Sequence, residues 1–293
     1  MYWPRVGVVG VGLIGGSFAA AIKRGKQAGR VIGFAPDTSV DQALKLGLID
    51  EAETDLPRLA ASVDLLVLAA PVMQIPELLS TISGHLGANT VLTDCASTKK
   101  SVIAAAEACL GDAFARFVAA HPIAGAEKSG PAAARSDLFN GARVIFCPQA
   151  QTSRIALDRV QRTWQAIGAR ISEIDADEHD RLFAMVSHWP HAIAFALCAA
   201  LARSDISVRA QQAAGAGLRD TTRIGASSPS LWSEILLDNR DEVLRAAEEF
   251  LVETREIMSL LRQSDSAGLE RLFGVASQWR EGVEEPARPK SSH

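Results

Sequence analysis

Cysteine is scarce in this 293-residue chain: there are four, Cys95, Cys109, Cys147 and Cys198, far apart and with no C-x-x-C pair among them. Each lies among apolar neighbours, so the set excludes a disulfide framework and reads as reduced thiols in a cytoplasmic protein. A basic excess is also lacking. Lysine and arginine total 30 against 34 acidic residues, a net charge of −4, which leaves no electrostatic footprint for nucleic acid or an anionic membrane. The longest unbroken apolar run, 192–202, is short of the ~18 residues that a bilayer span needs, so no membrane segment is expected. What remains is an ordinary globular composition, 48% hydrophobic and 22% charged, and a length that at roughly 150 residues per domain predicts two domains.

The N-terminal run from Val6 into Ala19-Ala20-Ala21 has the apolar look of a signal peptide, but Gly7, Gly10, Gly12, Gly15 and Gly16 would break such a helix and fit a strand and tight turn instead. Short runs rich in Val, Ile and Leu then alternate with Ala-rich stretches, the pattern of βαβ units on a mostly parallel, doubly wound sheet. The runs predict strands near 5–10, 30–34, 64–70, 90–94, 116–120, 142–147 and 169–174. Beyond Ile174 the texture becomes helical, opening on Asp175 and Glu178 in a capping-box-like start. Leu182, Val186, Trp189, Ile193, Ala196 and Leu201 form an apolar stripe, and residues 231–280 are again helical. The expected organisation is a Rossmann-type dinucleotide-binding domain over 1–174, an all-α substrate and dimerisation domain over 175–280, and a flexible tail over 281–293.

Gly10-Val11-Gly12-Leu13-Ile14-Gly15 matches G-x-G-x-x-G between a predicted strand and a predicted helix. The first glycine permits the turn, the second admits a pyrophosphate, and the third lets helix and strand pack closely, while the helix N-terminus offers N–H donors. Ala70, at the end of the strand 64–70, joins this cofactor set. The second strand ends Gly33-Phe34-Ala35-Pro36-Asp37, with Ala35 where a ribose-binding carboxylate belongs and Asp37 two residues late. A carboxylate folded over the ribose would repel a 2′-phosphate, which points to NAD with NADP as the alternative; Asp37 equally fits a cap for the next helix.

Polar clusters follow two strands at their carboxyl ends, where doubly wound folds bind ligands: Asp94 to Lys99, containing Ser97, and His121 to Gly130. A hydroxyl beside an imidazole suits alcohol oxidation, because a base must take the O–H proton as hydride leaves carbon. Ser187-His188-Trp189-Pro190-His191 lies in the first long helix, where Pro190 should introduce a kink. His188 and His191 are roughly 60° apart around an ideal helix; without a cysteine or carboxylate at ligand spacing, no metal site is expected. Gly215 to Ile224 reads as a Gly-rich loop carrying Arg219 and Arg223, guanidinium groups suited to bidentate carboxylate binding, or as a solvated loop with Arg219 paired to Asp220.

Taken together, the glycine motif, D-x-x-S-x-K at Asp94–Lys99, H-P-x-A-G-x-E-x-x-G at His121–Gly130, S-H-x-P-H at Ser187–His191 and G-x-R-D-x-T-R-I at Gly217–Ile224 resemble the prephenate and arogenate dehydrogenases of tyrosine biosynthesis. The resemblance implies NAD(P)-dependent oxidative decarboxylation of a cyclohexadienyl small molecule by a homodimer. It also implies roles: His121 as the base, Ser97 holding hydroxyl and imidazole, His188 beside the nicotinamide, His191 and Arg223 anchoring substrate carboxylate, Arg219 in a basic position, and Trp232 walling the pocket. Glu127 would greet the arogenate amine or pair with Arg223. Room for a fused mutase or regulatory domain is not expected. A β-hydroxyacid or imino acid dehydrogenase is the competing reading, but 175–231 lacks lysine for its catalytic group; a non-catalytic cofactor sensor would leave the polar set unexplained.

Overall fold

Val6, Val8 and Val9 of β1 (Trp3–Val9) are all buried, the signature of a parallel strand covered on both faces. In this computed structural model, which describes residues 2–125 and 128–283, β1 is central to a parallel sheet. Its companions are β2 (Ala28–Phe34), β3 (Glu51–Ala52), β4 (Leu65–Leu68), β5 (Val91–Asp94) and β6 (Phe117–Val118), in the order β3-β2-β1-β4-β5-β6. This is the doubly wound order whose reversal point lies between β1 and β4. The crossovers run through α1 (Leu13–Arg24), α2 (Ser39–Lys45), α3 (Leu56–Ser62), α4 (Ile75–Ile82) and α5 (Lys100–Leu110). They divide the core into two apolar layers. Phe18 and Ile22 of α1 pack with Val6 and Val8 on one face, and Leu59, Leu79 and Val102 pack with Leu66 and Leu68 on the other.

The strand expected over 116–120 is two strands. After Val118 the chain leaves the parallel sheet, and β7 (Ala120–Ile123) pairs antiparallel with β8 (Arg143–Phe146), which pairs parallel with β9 (Arg170–Glu173) through α6 (Arg154–Ala166). The departure has a definite cause. Asp94 Oδ1 accepts the Ala120 amide at 2.9 Å and Lys99 Nζ donates to the Ala120 carbonyl at 2.9 Å, so a fully buried Asp94–Lys99 ion pair satisfies backbone groups outside the sheet ladder. Strand β3 was not expected; two residues are too few for a periodic signal.

Among the described residues no strand follows β9. α7 (Ala176–Phe183) starts at Asp175, whose side chain accepts the Asp177 amide at 2.8 Å. A π turn over 184–188 leads into α8 (Trp189–Ala202), with Pro190 in its first turn. The widened turn precedes the proline that lacks a donor, so the chain passes through as one continuous helix over 176–202. Joining the apolar run to these earlier turns gives 27 residues with a mean hydropathy of 1.4 over the best window, long and apolar enough to cross a membrane. At full length this helix exceeds the ~18 residues that a bilayer span needs.

The stretch 215–224, read as a loop, is mostly α10 (Ala216–Thr222), following α9 (Ser207–Gln212) and preceding α11 (Pro229–Asp238). Compactness divides the chain after Arg240. The second unit holds α12 (Arg240–Gln263), from Asp241 onward, and α13 (Ser266–Glu281), where Leu244, Val252, Leu261, Val275 and Trp279 are exposed. Glu127 and the tail from residue 284 lie outside the described residues.

The close packing of α1 on β1 rests on Gly15: a Cβ there would lie 1.9 Å from the Gly10 carbonyl oxygen. Gly15→Ala should therefore lower stability by about 1–3 kcal/mol, read as an earlier urea midpoint, whereas Gly12→Ala, with nothing within 4 Å of its Cβ, should unfold with the native protein. Equal midpoints for all three proteins would contradict this packing.

Candidate active site

The turn after β1 has the shape of a dinucleotide cradle. Gly10 adopts φ +87°, where a Cβ would sit 2.6 Å from the Ala69 carbonyl oxygen, so the β4 end at Ala69 and Ala70 packs directly under the turn. Open space around Gly12 lets a pyrophosphate approach the backbone, and Leu13 and Ile14 begin α1, whose N-terminus carries the unpaired amides. These residues fit NAD. Asp37 is exposed, and its Oδ1 accepts the Ser39 amide at 3.0 Å. Hydrogen bonds from Ser39 hold its carboxyl below the ordinary range. The carboxylate thus bonds the backbone just ahead of α2, whose N-cap is Thr38.

His121 is the second residue of β7 and is buried. Its Nδ1 lies 2.9 Å from His179 Nε2, and His179 Nδ1 lies 2.8 Å from Asp180 Oδ1. The proton positions follow from the end of the chain. A carboxylate only accepts, so His179 carries its proton on Nδ1; its Nε2 is then a lone pair, so His121 Nδ1–H donates, and His121 Nε2 is left as an acceptor. Asp180 stays ionised: burial would raise its carboxyl, but hydrogen bonds from His179 and from the Lys100 and Lys99 amides, at 2.9 and 2.8 Å, outweigh that and leave it below the usual value. Burial, reinforced by the neighbouring His179, Lys99 and His188, pushes His121 well below 6.5, so its imidazole is neutral near pH 7. Phe183 packs 4.7 Å from the His121 ring and stacks at 4.5 Å on His179, fixing both planes.

His188 comes from the π turn and is buried. Burial drives its pKa down to about 4. His191 stacks on Trp232 with centroids 3.4 Å apart, and its Nδ1–H donates to the Ser187 carbonyl at 2.8 Å. Trp232 is also 6.2 Å from the His188 ring, so the π turn, α8 and α11 bring these three side chains to one place. Burial and the charge of Arg223 lower the His191 pKa, which puts Arg223, just after α10, in electrostatic reach of that ring. Arg219 lines a separate cavity of about 450 Å³ with Cys198, Gln211 and Thr222. Ser97 is half-buried in the β5–α5 loop, and His121 Nδ1 is bonded to His179 rather than to it.

His179, Asp180 and Asn239 were not singled out from the sequence. The first two lie within A-D-E-H-D-R, which reads as the polar face of an amphipathic helix; only their position one and two residues after the capping-box Glu178 hints at anything more. Asn239 carries no sequence signal at all. Asp94 and Lys99 were visible as motif ends, but not as the buried pair that places His121.

The profile described as prephenate dehydrogenase, nucleotide-binding domain, matches residues 18–173, and that for the prephenate dehydrogenase dimerization domain matches 175–275. The prephenate dehydrogenase of Bacillus subtilis is 34% identical over 97% of this chain and 77% of its own length. Among solved structures, Aquifex aeolicus prephenate dehydrogenase in complex with hydroxyphenyl propionate and NAD+ is similar at a TM-score of 0.88 and 34% identity, covering 96% of this chain and 99% of that one. Synechocystis arogenate dehydrogenase is similar at 0.79 and 28%, covering 94% and 99%. With both halves matched in order and relatives this similar over nearly its whole length, the chain belongs to the prephenate dehydrogenase family.

Proposed function

We propose that this protein is a cyclohexadienyl dehydrogenase that uses NAD to oxidise and decarboxylate prephenate, arogenate or both, giving 4-hydroxyphenylpyruvate or tyrosine. The observation that carries this reading is the neutral, buried His121, whose Nε2 is left as a lone pair by the His179–Asp180 chain. Such a group is the base that oxidation of a ring alcohol requires. NAD, held by Gly10, Gly12, Leu13, Ile14, Gly15 and Ala70, supplies a hydride acceptor. His121 removes the hydroxyl proton as hydride leaves the same carbon, and the electron pair from the departing carboxylate completes the aromatic ring. Loss of CO₂ makes the step effectively irreversible, so the protein has chiefly to orient and deprotonate.

Arg223 and His191 anchor substrate carboxylate, with Trp232 as the wall and His188 beside the nicotinamide. Ser97 serves the substrate hydroxyl, which would bridge it to the imidazole. Arg219 acts from its own cavity as a more distant cation. The functional division is placed at residue 174, cofactor before it and substrate and self-association after it. The chain works as a cytoplasmic homodimer, supported by the match to a dimerization domain and by the exposed apolar side chains of α12 and α13.

The direct test is reduced-cofactor formation with prephenate and arogenate, each crossed with NAD and NADP. Turnover in at least one NAD pairing is expected; four silent pairings from a folded, NAD-binding protein would remove the assignment. His121→Asn should bind NAD normally yet lose kcat by about 10²–10⁴-fold, and an unchanged kcat would remove the base. The activity needs neutral imidazole, and burial lowers the His121 pKa, so kcat/KM should hold as pH falls through 6.5 and decline only below it. An acid limb centred at or above 6.5 would contradict that.

A further inference from the structure

Asn239 follows α11, is buried, and makes two hydrogen bonds through one atom. Its Nδ2 is 2.7 Å from the Asp180 carbonyl oxygen and 3.1 Å from His188 Nδ1. The first contact fixes the amide's orientation, because a carbonyl oxygen accepts only and the amide oxygen would repel it there. The second then fixes the imidazole. An NH₂ group only donates, so His188 Nδ1 must be the lone pair, and the ring proton of the neutral form sits on Nε2. That Nε2 is buried in a residue 1% exposed and has no hydrogen-bond partner. A buried N–H left unpaired costs free energy that a ligand oxygen would recover. The His188 ring has Trp232 at 6.2 Å and Phe183, itself packed on His121, at 6.4 Å between ring centroids.

We propose that Asn239 is a positioning residue that locks His188 in the Nε2–H tautomer, so that His188 presents a neutral donor to a carbonyl-type oxygen of a bound ligand. His121 and His188 then work in opposite senses from one residue. The Asp180 carboxylate, through His179, makes His121 Nε2 an acceptor; the Asp180 backbone carbonyl, through Asn239, makes His188 Nε2 a donor. The oxygen belongs either to the nicotinamide carboxamide or to the cyclohexadienyl substrate. That choice of ligands rests on the proposed function, whereas the tautomer does not.

The test is histidine-selective ¹⁵N NMR on the full-length, ligand-free protein, which has six histidines, with the His188 ring assigned by the resonances that a folded His188→Gln variant loses. The expected result is a protonated Nε2 and an unprotonated Nδ1; protonation at Nδ1 overturns the proposal. Asn239→Asp replaces the donor by an acceptor and should move the proton to Nδ1, and an unchanged tautomer in that folded variant likewise overturns it. NAD and 4-hydroxyphenylpyruvate are then added separately to saturation. A shift of the Nε2 resonance with NAD alone assigns the oxygen to the cofactor, a shift with the product alone assigns it to the substrate, and no shift with either, once binding is verified, overturns the donor role. Absence of turnover alongside the expected tautomer would count against the dehydrogenase reading alone.

Discussion

The buried carboxylate of Asp180 is the constraint on which the site depends. It accepts the amides of Lys99 and Lys100 at the start of α5, so a residue of the helical segment serves as the cap for a helix of the parallel-sheet domain. Those amides carry the positive end of the α5 dipole, which offsets the burial of a negative charge. The same carboxylate orients His179, and through it His121. One ionised group thereby fixes where α7 begins relative to the strand ends and which nitrogen of the candidate base is available.

Low dielectric is maintained around this group at some cost. Asp94 and Lys99 are fully buried as a pair, and removing either alone would strand an uncompensated charge. The pair is retained because it satisfies both backbone groups of Ala120 at the point where the chain exits one sheet and enters another. His121 is the next residue, so the ion pair sets its position as the histidine chain sets its proton. Burial pushes His121, His179 and His188 all below their ordinary pKa, so these rings are neutral near pH 7. The Arg223 charge is felt by His191, whose pKa it lowers together with burial.

Features encoded locally were legible in the sequence. The glycine turn requires particular backbone geometry at Gly10 and close approach at Gly15, and both are written as residue types. Buried parallel strands are uniformly apolar, which is why β4 was plain. The features that escaped depend on distant partners. The break at Ala119 exists because Asp94 at the end of β5 and Lys99 at the start of α5 reach across to it, and no periodicity within 116–120 reports it. His179 and Asp180 resemble solvent-facing helix residues until their partners 58 and 80 positions away are placed. Gly215 and Gly217 suggested a loop, yet tertiary packing of α10 against α8 overrides that weak propensity. Arg219 and Arg223 are four residues apart, but only Arg223 is placed in reach of His191.

The central claim is that His121 Nε2, not Nδ1, faces the reacting hydroxyl because the Asp180–His179 chain occupies the other nitrogen. A crystal structure of the ternary complex with NAD and 4-hydroxyphenylpyruvate tests it most directly. The account predicts His121 Nε2 within about 2.6–3.2 Å of the product's ring hydroxyl, with Nδ1 still bonded to His179. A ring flipped to present Nδ1, or a hydroxyl bound away from His121 altogether, would contradict it.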